Sequence, residues 1–124
     1  MKPYAVLCSL LIFADQLVKL VLPTPYWGWD SRPITAIMVV LGVGSTLILF
    51  SYPPIRLGGT IMLAGMLSNT LSAANGDVPN PFVIGNLAFN LADTMLVGGL
   101  LVIVASVPAV FTDIRERGTA RGWK

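Results

Sequence analysis

Phe89-Asn90-Leu91-Ala92-Asp93, with the uncharged run from Thr94 to Phe111 that follows, decides how this chain is read. The run has 18 residues, and at ~1.5 Å per residue such a helix nearly crosses a hydrocarbon layer ~30 Å thick. Asp93 stands at its mouth, after a stretch from Asn75 to Leu91 that contains no Lys or Arg. An ionisable group at such a place is costly, so by default it marks a functional site and calls for a partner. The composition agrees with a membrane protein: 55% of the 124 residues are hydrophobic and only 11% are charged. The length suits one compact unit. The net charge of +2 sits at the ends of apolar runs rather than in a patch, so no nucleic-acid partner is expected.

Working outward from that run, three more apolar stretches can be drawn, at Tyr4 to Leu22, Ile34 to Phe50 and Leu57 to Ala74. The expected fold class is therefore an all-α membrane protein with four transmembrane helices, about 4–22, 34–50, 57–74 and 94–111, forming one domain over residues 1–111. Residues 112–124 read as a basic, frayed cytoplasmic tail. The first stretch is interrupted by Asp15, Gln16 and Lys19 and the third by Ser68, Asn69 and Ser72, so both should turn these residues inward. Lys2, Arg56, Arg115, Arg117, Arg121 and Lys124 fall on one side against Arg32 on the other, which puts both termini in the cytoplasm. Pro53-Pro54 is expected to stop the second helix and force a tight turn before Gly58-Gly59. The longest external connection, Asn75 to Leu91, reads as an irregular ordered loop, with Val83-Ile84 as a short extended piece at most.

The sequence has no His, which excludes imidazole ligands and every Ser-His or Cys-His nucleophile. Cys8 has no partner cysteine and sits inside an apolar run as a small packed hydrophobe. No metal site and no cofactor is expected. Carboxylates must carry any acid-base work, and the helix directions bring Asp15, Asn69, Ser72 and Asp93 to one depth near the external surface.

Each of these residues also has a plain structural reading. Asn90 with Asp93 three residues on fits a helix start, the carboxylate favoured by the positive end of the helix dipole. Asp15 and Lys19, four apart, form an ion pair that lets a helix carry two charges in lipid. Asn69 suits polar glue between helices, and Ser68 and Ser72 suit close packing. Asp77, next to Gly76, reads as a solvated turn residue. A Ser72–Lys19 nucleophilic pair is the least favoured arrangement, since Lys19 already has Asp15 beside it.

The motifs resemble, in order, those of the signal peptidase II family, the lipoprotein signal peptidases. These are four-helix membrane aspartyl proteases that cut prolipoproteins just before the lipidated cysteine. Asp15-Gln16-Leu17-Val18-Lys19 is similar to the family's Asp-x-x-x-Lys, and Gly65 to Ala73 to its Gly-x-x-x-Asn-x-x-Asp-Arg. Phe89 to Asp93 is similar to its Phe-Asn-x-Ala-Asp, the most specific of the three. The resemblance implies a catalytic aspartate from each of the last two motifs, and this chain keeps only Asp93. Ser72 stands at the other position, Ala73 at the neighbouring arginine and Asn80 at a further acidic position. The external segment that cradles substrate in the family shrinks here to Pro23 to Pro33. A dyad needs two carboxylates sharing one proton, and a serine hydroxyl is no substitute for either.

The resemblance therefore implies a bacterial cytoplasmic (inner) membrane, multi-pass protein that has lost, or nearly lost, proteolysis. It would act as an accessory or binding subunit, with membrane lipids and a lipoprotein or another membrane complex as partners. Two alternatives stay open: an active divergent aspartic endopeptidase pairing Asp93 with Asp77 or Asp15, and a small structural subunit of a larger complex. The charge asymmetry makes a direct prediction. A cysteine at position 80, in a Cys8→Ala background, should react with an impermeant thiol reagent added outside the cell, and labelling only from the cytoplasmic side would reverse the topology.

Overall fold

The structure, a computed structural model, describes residues 2–22, 26–27, 42, 52–76 and 78–120. Among them are three long helices: α1 (Lys2–Val21), α2 (Pro53–Ala74) and α3 (Leu91–Ala120). The expected helix over 34–50 lies outside the described residues except for Gly42, which is helical and buried. A Cβ built on Gly42 would come within 2.6 Å of Met66 Cε, so this residue sits directly against α2.

Two expected boundaries move, each for a local reason. Pro53 and Pro54 occupy the first turn of α2, where a missing N–H costs nothing and the fixed φ suits the helix, so they open it rather than force a turn. Gly58-Gly59 consequently lies inside α2. At the other end, α3 continues as helix through Ala120, where a frayed tail from Thr112 was expected. Arg117 and Asp113, four apart and exposed, pair at 2.9 Å along this extension.

Polarity is inverted relative to a water-soluble bundle. Asp15 and Lys19 are 0% and 8% exposed, while their neighbours Phe13 and Leu20 are 66% and 83% exposed. Val97, Leu101, Val104 and Phe111 point outward from α3 in the same way. Such a surface suits an apolar solvent. Among the described residues two helices, Lys2–Val21 and Leu91–Gly118, are long and apolar enough to cross a membrane. Hydroxyl side chains inside the helices close on their own backbone: Thr60, Thr70 and Ser106 each donate to the carbonyl four residues back, at 2.7, 2.8 and 2.6 Å.

The connection between α2 and α3 is more regular than expected. Strand β1 (Tyr26–Trp27) pairs antiparallel with β2 (Pro79–Asn80), and β3 (Phe82–Ile84) with β4 (Leu87–Phe89) in a hairpin. Gly85 has φ of +60°, the conformation a two-residue turn needs at its first position, and the Gly85-Asn86 dipeptide is the sequence signal for it. Phe82 and Phe89 stack across the open end of the hairpin with ring centroids 5.6 Å apart.

Register follows from the contacts. Lys19 meets Ser72 and Asp15 meets Ser68, so α1 and α2 run parallel. The α2–α3 pair is antiparallel and the most extensive among the described elements. Its backbones touch: a Cβ on Gly99 would lie 2.5 Å from Gly58 O, and one on Gly65 would lie 2.5 Å from Ala92 O. Between helices in lipid, such small-residue contacts replace the hydrophobic drive that water supplies to soluble bundles. The neighbouring Gly98 faces open space, with nothing within 4 Å of its would-be Cβ. Gly99→Ala should therefore lower stability in detergent by ~1–3 kcal/mol through overpacking, while Gly98→Ala should leave it unchanged or slightly raised. Equal melting temperatures for the two variants would refute this packing.

Candidate functional site

Near the C-terminal ends of α1 and α2 and the N-terminal end of α3, side chains from all three helices form one continuous hydrogen-bond network. On α1 the spacing 15, 16, 19 places Asp15, Gln16 and Lys19 on one helical face. The Asp15 carboxylate is fully buried. Its Oδ2 lies 2.7 Å from Lys19 Nζ and accepts the Ser68 hydroxyl proton at 2.7 Å, and its Oδ1 accepts the backbone N–H of Ala92 at 2.8 Å. The Asp15–Lys19 pair expected from the spacing is present. Gln16 Nε2 donates toward Ser68 O, Ser68 Oγ and Ser72 Oγ at 3.0, 2.8 and 3.1 Å, so it closes the same seam from the side.

Lys19 carries the network onward. Besides Asp15, its ammonium donates to Asn69 Oδ1 at 2.9 Å and to Ser72 Oγ at 3.1 Å, so all three protons have acceptors. The Asn69 amide is thereby oriented with its nitrogen toward α3, where it donates to Asp93 Oδ1 at 2.8 Å. The other Asp93 oxygen accepts the Asn90 backbone N–H at 3.0 Å, while Asn90 Oδ1 accepts the Asp93 N–H at 2.9 Å. This is a reciprocal capping box at the start of α3, as the Asn90–Asp93 spacing foretold. Asn90, 1% exposed, reaches on to Asn80 Oδ1 at 2.9 Å and so ties β2 to the cap.

Seven of the residues singled out from sequence, Asp15, Lys19, Asn69, Ser72, Asn80, Asn90 and Asp93, thus belong to one network; Asp77 lies outside the described residues. Three further participants were not assigned there: Gln16, Ser68 as a donor to Asp15, and the Ala92 N–H. Gln16 had a detectable signal, since it lies on the Asp15–Lys19 face.

The geometry limits what chemistry is open. Both Asp93 oxygens accept N–H groups, and the half-buried side chain sits at the N-terminal end of α3. Ser72 Oγ donates to the Ser68 carbonyl at 3.1 Å and accepts from Lys19 and Gln16. An ammonium giving all its protons away, one of them to a carboxylate, has no lone pair with which to activate that hydroxyl. A cleft of about 200 Å³ lined by Gln16, Lys19, Leu20, Ser72, Asn75 and Pro79 borders this part of the network.

No family model and no curated protein matches the chain. Among solved structures it is similar to a bacterial membrane enzyme determined by the in meso method at 2.3 Å resolution. The TM-score is 0.69 and the identity 16%, over 91% of this chain and 92% of that one. At that identity the likeness is one of fold: this mostly helical chain shares its architecture with that protein.

The network makes Asp15 and Lys19 depend on each other. Asp15→Asn leaves the Lys19 ammonium at membrane depth without its counter-charge, whereas Asp15→Asn with Lys19→Met removes both charges. The single variant should therefore lose more thermal stability than the double. The reverse order, measured in the same detergent, would show that the Ser68 and Ala92 contacts of Asp15 outweigh the ion pair.

Proposed function

We propose that this protein is a signal peptidase II-like, multi-pass protein of the bacterial cytoplasmic membrane that does not cleave prolipoproteins and acts as an accessory or binding subunit. The observation that carries this reading is the state of the two positions where the family places its catalytic aspartates. Ser72 occupies one and is engaged by Lys19 and Gln16; Asp93 occupies the other, with N–H donors on both oxygens. Asp15 is a poor replacement for the missing acid, because its oxygens are already taken by Lys19, Ser68 and Ala92. One carboxylate cannot act as base and acid in the same step, and deleting one of two cooperating groups costs several powers of ten in rate.

The four-helix arrangement, with residues 34–50 as the second crossing and both termini cytoplasmic, belongs to the same proposal. The order of motifs, the helix directions of α1, α2 and α3, and the fold likeness support it. In this reading the partner is a lipoprotein or another membrane protein held at the external end of the bundle.

A gel-shift cleavage assay on a lipidated prolipoprotein, using purified protein with Asp93→Asn as control, tests the proposal. No cleavage above that control is expected. Ser72→Asp puts a carboxylate beside Lys19 and opposite the start of α3, and a trace of activity is expected from it. Robust cleavage by the unmodified chain, abolished by Asp93→Asn, would overturn the non-proteolytic reading and point to Asp77 or Asp15 as the second acid.

A further inference from the structure

The β3–β4 hairpin stands at the end of the bundle that carries the polar network, and its tip is apolar where a loop facing water would be polar. Ile84 and Leu87, on either side of the turn, are 71% and 65% exposed, and Val83 is 42% exposed. From Val78 to Ala92 the chain has no Asp, Glu, Lys or Arg. The last residues of α1 at this same end, Leu20 and Val21, are 83% and 68% exposed, so the outward apolar surface of the bundle reaches the level of the hairpin. A cleft of about 200 Å³ lined by Val83, Gly85, Asn86 and Ala88 lies at the turn, where the missing side chain of Gly85 leaves open space.

We infer that the tip of this hairpin docks into the lipid of the adjacent leaflet, with Ile84 and Leu87 immersed at the level of the glycerol and upper acyl chains. The occupant is lipid rather than protein because the tip is apolar, carries no charge to select a protein partner, and stands at the same end of the bundle as the exposed apolar end of α1. The Phe82–Phe89 contact closes the base of the hairpin, and the Asn90–Asn80 hydrogen bond ties its two flanks to the start of α3. Lipid contact at the tip therefore holds the start of α3, and with it Asp93, at a fixed depth. The inference rests on the membrane reading of the fold and is independent of the resemblance to signal peptidase II.

Nitroxide labels read this depth directly. In a Cys8→Ala background, single variants Ile84→Cys, Leu87→Cys, Leu20→Cys and Asn75→Cys are labelled and placed in nanodiscs of phosphatidylethanolamine and phosphatidylglycerol. Collision rates are then measured with oxygen, which concentrates in lipid, and with a water-soluble nickel chelate. The oxygen-to-nickel ratio at 84 and 87 should match that at 20 and exceed that at 75 several-fold. Nickel accessibility at 84 and 87 equal to that at 75 would overturn the inference, because the tip would stand in water. Protection from both reagents would also overturn it, because the tip would then be covered by protein, including a second copy of the chain. A water-like ratio at 20 as well would overturn the membrane reading together with it.

Discussion

One buried carboxylate holds the three helices in register. Asp15 takes an ammonium from its own helix, a hydroxyl from α2 and a backbone N–H from α3. Removing an ionised carboxylate from solvent costs several kcal/mol even after relaxation, and only close, well-directed donors offset it. Each donor sits at one position along its helix. Sliding α2 or α3 by one turn would therefore move a donor ~5.4 Å away and leave a charge unpaired in an apolar medium. The interaction stabilises the bundle modestly and specifies its register strongly.

Distance between the helices has a different origin. Gly58, Gly65 and Gly99 let the α2 and α3 backbones meet, and only at that separation can the Asn69 amide reach Asp93 from the neighbouring helix. The two devices are coupled: close backbones bring short polar side chains within hydrogen-bonding range, and the polar contacts select which of several small-residue registers is used. Asp15 also satisfies the N–H of Ala92 in the first turn of α3, a task that a local cap would otherwise perform. The start of α3 thus has a local cap from Asn90 and Asp93 and a remote one from α1.

The same closure shapes what the site can do. A proteolytic dyad keeps a carboxyl group available for a proton that it shares with a second acid. Here the polar groups are spent on one another, from Gln16 and Lys19 through Asn69 to Asp93, Asn90 and Asn80. That is why the resemblance in scaffold and the departure in chemistry belong to the same proposal.

The sequence by itself determined whatever depends on neighbours within one or two helical turns. The apolar runs marked α1 and α3 as lengths able to cross a membrane; the four-residue spacing of Asp15 and Lys19 set their pairing; the three-residue spacing of Asn90 and Asp93 set the cap. These follow from backbone geometry, which repeats identically in every helix. Gly85-Asn86 carried a signal for the β3–β4 turn that the reading of Asn75 to Leu91 as an irregular loop did not use; the helical reach of residues 112–120 and the place of Pro53-Pro54 inside α2 were not resolved by hydropathy alone. Tertiary structure alone decided that Asp15 caps α3 from 77 residues away and that Gln16 and Ser68 join it. It also decided that Asn69 relays Lys19 to Asp93. Those partners lie on separate helices, and whether they meet depends on how closely and in what register the helices pack, a property of backbone contacts at Gly58, Gly65 and Gly99 that no local spacing encodes.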